Sequence, residues 1–314
     1  MKDSYPSIAL VRICRLLGFT RQAYYQHFNA EQELGIEHEL ILSETLRIRQ
    51  NHRRMGGRKL FEKLDHFMLE HQIKMGRDAY FDFLSVNGLL VRRRIRKVST
   101  TWSGHWLRKF PNLIRQFKPT APNQLIVSDI TYLRTDKGFV YVSLVTDAYS
   151  KKILGYHVSP TLETKGPLMA LKMAIRIMGK AYPGLIHHSD RGVQYCSGEY
   201  VKLLKDNHIN ISMTESGDPL ENAVAERING ILKHEYLCFD EYKNLEEVVE
   251  GLRKAVDLYN MDRPHLSLGM LTPENVHQNN LPVEKLWKTY YYKNRNLVNP
   301  NQDLIQPVNI AQEY

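Results

Sequence analysis

Two hydrophobic periods divide this chain. Up to about residue 90, apolar side chains recur every three or four positions; from about Asn123 they alternate or gather in short blocks. In the first region Ile8, Val11, Cys14 and Leu17 fall on one helical face. Gly18 can close that helix, and Thr20 can cap a second one carrying Arg21, Gln22, Tyr24 and Tyr25. The spacing then predicts a helix over Glu37–Gln50, a helix carrying Leu60, Leu64 and Phe67, and a helix over about Arg77–Asn87 that ends at Gly88. Leu89-Leu90-Val91 reads as a short strand.

The second region predicts strands at Leu125–Leu133, Phe139–Thr146 and Ile153–Val158, the first two joined by an Asp136-Lys137-Gly138 turn. A helix over Lys165–Met178, a strand at Leu185–His188, a helix over Gly198–Asn207 and a strand at Ile209–Met213 follow. A helix spans the stretch from Glu221 to Lys233. Periodicity alone establishes an α/β domain preceded by helices. The organisation expected is helical segments at 1–30 and 31–97, a connection at 98–122, a core at 123–277 and a tail at 278–314.

Charge sharpens that division. The net charge is +9, yet residues 1–118 carry 22 Lys and Arg against 11 Asp and Glu, and the remainder carries 21 against 23. A basic arm on a near-neutral body suits a polyanion partner, although a solvated basic surface has the same composition. Helix, glycine turn, helix is the form of a helix-turn-helix, with Arg21 and Tyr24 on the helix that would enter a groove; an ordinary helical hairpin has the same pattern. Arg53, Arg54, Arg58 and Lys59 form a second basic cluster. Arg92, Arg93 and Arg94 open a run with five charges in six residues, suited to tracking phosphates or to a solvated linker. No apolar run approaches a membrane span, and Arg12 and Arg15 interrupt the N-terminal apolar stretch, unlike a secretory leader. Three scattered cysteines without a CxxC pair support neither a disulfide framework nor a zinc knuckle, and point to a reducing, cytoplasmic compartment.

The candidate chemistry lies in three acids. Asp129 sits within the first strand, Asp190 ends the fourth, and Glu226 lies on the helix that follows, with 35 residues between the last two. Hard carboxylate oxygens from two strands and a helix suit a site for two Mg²⁺ or Mn²⁺ ions acting in phosphoryl transfer. Asp147 also follows an apolar strand, but reads as a turn residue. Asn222, Glu226, Asn229 and Lys233 make one polar stripe, so Lys233 can meet a DNA phosphate or pair with Glu226 or Asn229. His187 and His188 read as strand residues.

These motifs resemble the second-frame product (OrfB) of bacterial insertion sequences of the IS-three family, whose catalytic core is of the integrase type. The matching segments are Ser128-Asp129-Ile130-Thr131-Tyr132, His188-Ser189-Asp190-Arg191-Gly192-Val193-Gln194-Tyr195 and Asn222-Ala223-Val224-Ala225-Glu226-Arg227. Tyr259-Asn260, Arg263-Pro264-His265, Cys14-Arg15-Leu16-Leu17-Gly18 and Gly56-Gly57-Arg58-Lys59 are similar to further family segments. Ile126 stands where Trp is frequent, and Glu221 where Asp is usual. The resemblance implies an α/β fold, an RNase H-like mixed-sheet core after all-α helix-turn-helix DNA-binding modules. It implies Asp129, Asp190 and Glu226 as catalytic metal ligands in cleavage and strand transfer at the element's ends, with a circular intermediate when one end joins the other. Double-stranded DNA, a homo-oligomer on that DNA and an upstream-frame (OrfA-like) protein are the implied partners.

Two other readings compete. A ribonuclease H shares the fold but usually places a catalytic Glu on the first core helix, where Glu163 has no partner in the pattern. A DNA-binding regulator, or a product inactive without its upstream-frame partner, would also carry the basic arm. A retroviral-type integrase would add a His2Cys2 zinc module, for which the cysteines offer no pair.

Overall fold

The computed structural model describes residues 9–91, 106–179, 182–215, 219–238 and 241–283. Helix α1 (Leu10–Leu16) turns at Gly18, whose φ is +76°, into α2 (Arg21–Asn51). Thr20 caps α2 by accepting from the Ala23 amide at 3.0 Å. The two helices expected at 21–25 and 37–50 are one helix of 31 residues. Between them Ala30-Glu31-Gln32-Glu33-Leu34 are strong helix formers, and the single Gly35 costs only about 1 kcal/mol. Helices α3 (Gly57–Glu70) and α4 (Arg77–Val86) close a small core on α2 through Ile41, Ile48, Met55, Leu60, Leu64, Tyr80 and Leu84. Leu89-Leu90-Val91 is not a strand. Leu89 ends α4 instead, donating to the Leu84 carbonyl at 2.8 Å past Gly88 (φ +67°) and packing back on that core.

The second unit is built on five strands among the described residues: β1 (Leu125–Thr135), β2 (Gly138–Asp147), β3 (Ile153–Ser159), β4 (Ile186–Ser189) and β5 (Asn210–Met213). Their order is β3-β2-β1-β4-β5, antiparallel across the first three and parallel across β1, β4 and β5, which is the RNase H-like arrangement. One face carries α5 (Lys165–Met178), with α6 (Val193–Cys196) and α7 (Gly198–Asp206), over Ile126, Val145 and Leu154. Gly155 lets α5 lie close on β3: a Cβ there would stand 2.0 Å from the Ala170 carbonyl oxygen. The other face carries α8 (Ala223–Ile231) and α9 (Leu245–Met261) over Leu133, Val142 and Leu144, and α10 (Pro273–Asn279) packs on α9.

Asp147 serves as a turn former. Its Oδ1 accepts from the Ser150 amide at 2.6 Å and the Tyr149 amide at 3.1 Å, and its Oδ2 from the Asn123 amide at 2.7 Å. The described part of the connecting segment lies on the core. Leu107 and Phe110 pack with the α5 layer, and Ile114 and Phe117 against Leu125 and Val127.

Candidate active site

Parallel pairing of β1 with β4 sets the floor of the site. Leu125 stands opposite Ile186 and Val127 opposite His188, so the same register continued by two residues sets Asp129 beside Asp190. Neighbouring strands are about 4.8 Å apart, and residues of equal parity share a face. Asp129 therefore emerges on the face where Val224 and Ala225 of α8 cover Leu125, Val127 and Ile186, and Asp190, just past the end of β4, is near enough to act on its carboxyl. Each is held by neighbouring donors. Asp129 accepts from Asn229 Nδ2 at 2.7 Å and from the Ile130 amide at 2.9 Å. Asp190 accepts from the Gly192 amide at 3.0 Å.

Helix α8 supplies the third acid. Asn222 donates to the Ser128 carbonyl at 3.1 Å and Asn229 to Asp129, so both ends of one helical stripe are tied to β1. Glu226 lies between them on that stripe and is exposed. Burial, then repulsion from Asp190 and a smaller push from Glu226, outweigh these donors and raise the Asp129 carboxyl to about 7. The three acids thus feel one another, yet among the described residues no three His, Cys, Asp or Glu side chains converge closely enough to hold a metal ion. The expected three-ligand cluster is not assembled in this conformation.

His187 and His188 are core residues. His187 Nε2 lies 2.8 Å from Ser128 Oγ and 2.9 Å from the Tyr200 hydroxyl, and His188 Nδ1 lies 2.8 Å from Ser212 Oγ. Burial pushes the two rings down to about 3 and about 4, so both are neutral at physiological pH.

The basic candidates separate into outward and inward groups. Arg21 and Tyr24 are exposed on the first turns of α2, and Arg53 and Arg58 are exposed at the α2–α3 corner, with Arg54 half-buried beside them. Lys59 requires a correction: it is buried, its Nζ 3.9 Å from Glu235 Oε1, so it is not presented to a DNA phosphate here. Burial and the Arg263 guanidinium push its ammonium down to about 8. Lys233 stands 3.9 Å above the Tyr132 ring on β1, a cation–π contact that the helical stripe did not foretell. Arg92, Arg93 and Arg94 lie outside the described residues.

Sequence reasoning missed a buried polar network behind α8. A π turn, Leu232–Leu237, continues that helix. Its Glu235 receives a two-pronged bond from Arg263, Nε and Nη2 each at 2.8 Å. Arg263 is 1% exposed and its third nitrogen meets His265 Nε2 at 2.9 Å. The available signal is the Arg263-Pro264-His265 motif, a basic pair flanking a proline.

Comparison with known proteins extends these observations over the chain's length. The family described as integrase core domain matches residues 119–219, and a second integrase core domain description matches 207–273. The transposase for insertion sequence element IS629 of Shigella sonnei is 36% identical over 224 residues, 71% of this chain and 74% of that protein. The insertion element IS600 uncharacterized 31 kDa protein of Shigella sonnei is 32% identical over 275 residues, 85% of this chain and 99% of that protein. Transposase InsF for insertion sequence IS3A of Escherichia coli K12 is 28% identical over 278 residues, 86% of this chain and 94% of that protein. Among solved structures, the HTLV-2 integrase catalytic core domain in complex with magnesium is 21% identical, with a TM-score of 0.41, over 50% of this chain and 97% of that one. Matched along most of its length by relatives of this kind, and carrying their core domain, the chain belongs to the insertion-sequence transposases with an integrase catalytic core.

Proposed function

We propose that Asp129, Asp190 and Glu226 are the catalytic carboxylates of this transposase and bind two Mg²⁺ or Mn²⁺ ions. The observation that carries the reading is the β1–β4 register: Val127 pairs with His188, and the same register carried two residues further would bring Asp129 beside Asp190. Burial, and then repulsion from Asp190, raise Asp129 to about 7, and a divalent cation would relieve that repulsion. Such ions, when bound, would activate the attacking oxygen and stabilise the leaving one. The chain's own part is to hold the ligands: Asn229 and the Ile130 amide fix Asp129, and the Gly192 amide fixes Asp190. Glu226 completes the set when α8 brings it toward the pair.

The substrate is double-stranded DNA at the ends of the insertion sequence. In cleavage, water attacks a phosphodiester, the bond to the element's 3′ oxygen breaks, and that oxygen leaves as a 3′-hydroxyl. In strand transfer this hydroxyl attacks a second phosphodiester; its proton is lost, a new P–O bond forms and the target's own 3′ oxygen leaves. The energy of the broken bond is kept in the new one, so no nucleotide cofactor enters. Because two ends must be held together, the working form is a homo-oligomer on DNA, and an upstream-frame (OrfA-like) protein is a further partner. Arg21, Tyr24, Arg53 and Arg58 are the exposed candidates for phosphate contacts. A protein that acts on DNA works in the cytoplasm, on the nucleoid; separately, among the described residues no helix is long and apolar enough to cross a membrane.

The test is metal-dependent cleavage and joining of duplex DNA carrying the terminal inverted repeats that flank the gene, with and without the upstream-frame product. Nicking at the 3′ ends that requires Mg²⁺ or Mn²⁺ and disappears in Glu226→Gln supports the assignment. Binding without cleavage under both conditions favours the regulatory reading.

A further inference from the structure

The corner between α2 and α3 faces two ways. Arg53 and Arg58 are exposed, while His52, Met55 and Lys59 are buried. The inward polar groups do not serve their own unit; they cross to the core. His52 Nδ1 lies 3.0 Å from the Tyr236 hydroxyl, and its Nε2 lies 2.7 Å from Asp262 Oδ2. Lys63 donates to the other Asp262 oxygen and to the Asp262 carbonyl. Lys59 faces Glu235, the carboxylate already forked by Arg263. Arg49 braces the corner from behind, donating to the Arg53 carbonyl at 2.7 Å.

The core residues so gripped occupy two places. Glu235 and Tyr236 are in the π turn that continues α8, and Asp262 adjoins Arg263 at the end of α9. Glu226 is nine residues before Glu235. At the helical rise that separation is about 13 Å, so a rotation of roughly 10° about the gripped end would carry Glu226 about 2 Å. Its direction is therefore set jointly, by the Asn222 and Asn229 bonds to β1 on either side of it and, from behind, by a unit outside the catalytic sheet. Stability alone gives a weak reason for this arrangement, since buried ion pairs rarely outdo apolar packing, and a role in fixing geometry accounts for it better.

We propose that His52, Lys59 and Lys63 are positioning residues for Glu226: the α2–α3 corner registers helix α8 through Tyr236, Glu235 and Asp262, so that DNA held on the outer face by Arg53 and Arg58 is coupled to closure of the carboxylate site. This rests on the assignment of Glu226 to that site. It gives the Gly56-Gly57-Arg58-Lys59 motif a divided role, one basic side chain for DNA and the next for the catalytic helix.

The experiment uses the full chain, with Asp262→Lys, Lys63→Glu and the double swap, and with Lys59→Met as an independent probe at Glu235. Asp262 is half-exposed, and circular dichroism checks that each variant is folded before it is scored. Three quantities are read: affinity for an inverted-repeat end, the cleavage rate at saturating DNA, and amide exchange in residues 219–238. The inference expects each single variant to bind DNA within about threefold of wild type, to cleave at least tenfold more slowly at saturation, and to need more Mg²⁺ for its half-maximal rate. Exchange in α8 rises in the single variants, and the double swap recovers both rate and protection. Unchanged cleavage and exchange in Asp262→Lys and Lys59→Met overturn it, as does a loss confined to DNA affinity. If wild type does not cleave even with the upstream-frame product added, the catalytic assignment fails, while the exchange data still decide whether the corner sets α8.

Discussion

Asp129 lies on β1 inside a hydrogen-bonded sheet and Asp190 directly follows the neighbouring β4, whereas Glu226 rides on a helix whose far end is held by side chains from another unit. The strand pair has little freedom, because its register also fixes Leu125 on Ile186 and Val127 on His188. The helix has more: Asn222 and Asn229 tie it to β1, and beyond them its course depends on Glu235, Tyr236 and Arg263. On the proposed assignment, the difference separates a part of the site fixed by strand register from a part carried on a helix.

Replacing a sheet acid should have the largest effect. Asp190→Asn is expected to lower cleavage by about 10³-fold or more while leaving end binding within twofold, since the side chain keeps its shape and loses the charge a cation needs. Near-normal cleavage by that variant would remove Asp190 from the chemistry. Next comes the packing that holds the floor flat. Gly155→Ala sets a methyl group against the Ala170 backbone, and a loss of about 3 kcal/mol is expected in denaturant melts. A melt like wild type would mean that α5 can shift without cost.

The contrast itself is sharpened by changing side-chain length. Glu226→Asp shortens the reach by one methylene, which a movable helix can offset, while Asp190→Glu lengthens a group that the sheet cannot retract. Cleavage should fall roughly tenfold less in the first variant than in the second; the reverse ranking would make α8 the rigid partner. Asn229→Ala removes a donor from Asp129, and roughly tenfold slower cleavage is expected with a higher Mg²⁺ requirement.

The smallest expected effect is a pH dependence. The Asp129 carboxyl moves from an ordinary 3.8 up to about 7 in the fold. Its contribution to stability is therefore full below about pH 4 and is lost as pH rises through about 7. Without metal, Asp129→Asn should raise the melting temperature by a few degrees at pH 8 and leave it unchanged at pH 4. Mg²⁺ should stabilise wild type more at pH 8 than at pH 5. Equal effects at both pH values would mean that Asp129 is not crowded by its neighbours.

Much of this was readable in the residues. The strands at 125, 139 and 153 announce themselves because buried β-branched and aromatic runs end in Asp-Lys-Gly or Ser-Lys-Lys turns, and the acids stand out against those runs. The continuity of α2 through residues 26–36 was not readable, since a gap in apolar spacing there is compatible with a solvated helix as well as with a break. Leu89 belongs to the helix before it through a capping turn, a contact of five residues' span that mimics a strand in composition. Lys59 shows the deepest limit. Beside Arg58 its charge suggests a surface, and only tertiary packing against Glu235 turns it inward.

The strand order has a temporal consequence as well. β1, β2 and β3 form a local meander, but Asp129 meets Asp190 only through a pairing across 61 residues. Closing a loop of that length is slower than zipping a hairpin, so the paired acids come late in folding. A chain emerging from the ribosome, or truncated before His188, has its meander and no aspartate pair. The capacity to cut DNA is thus withheld until most of the protein has been made.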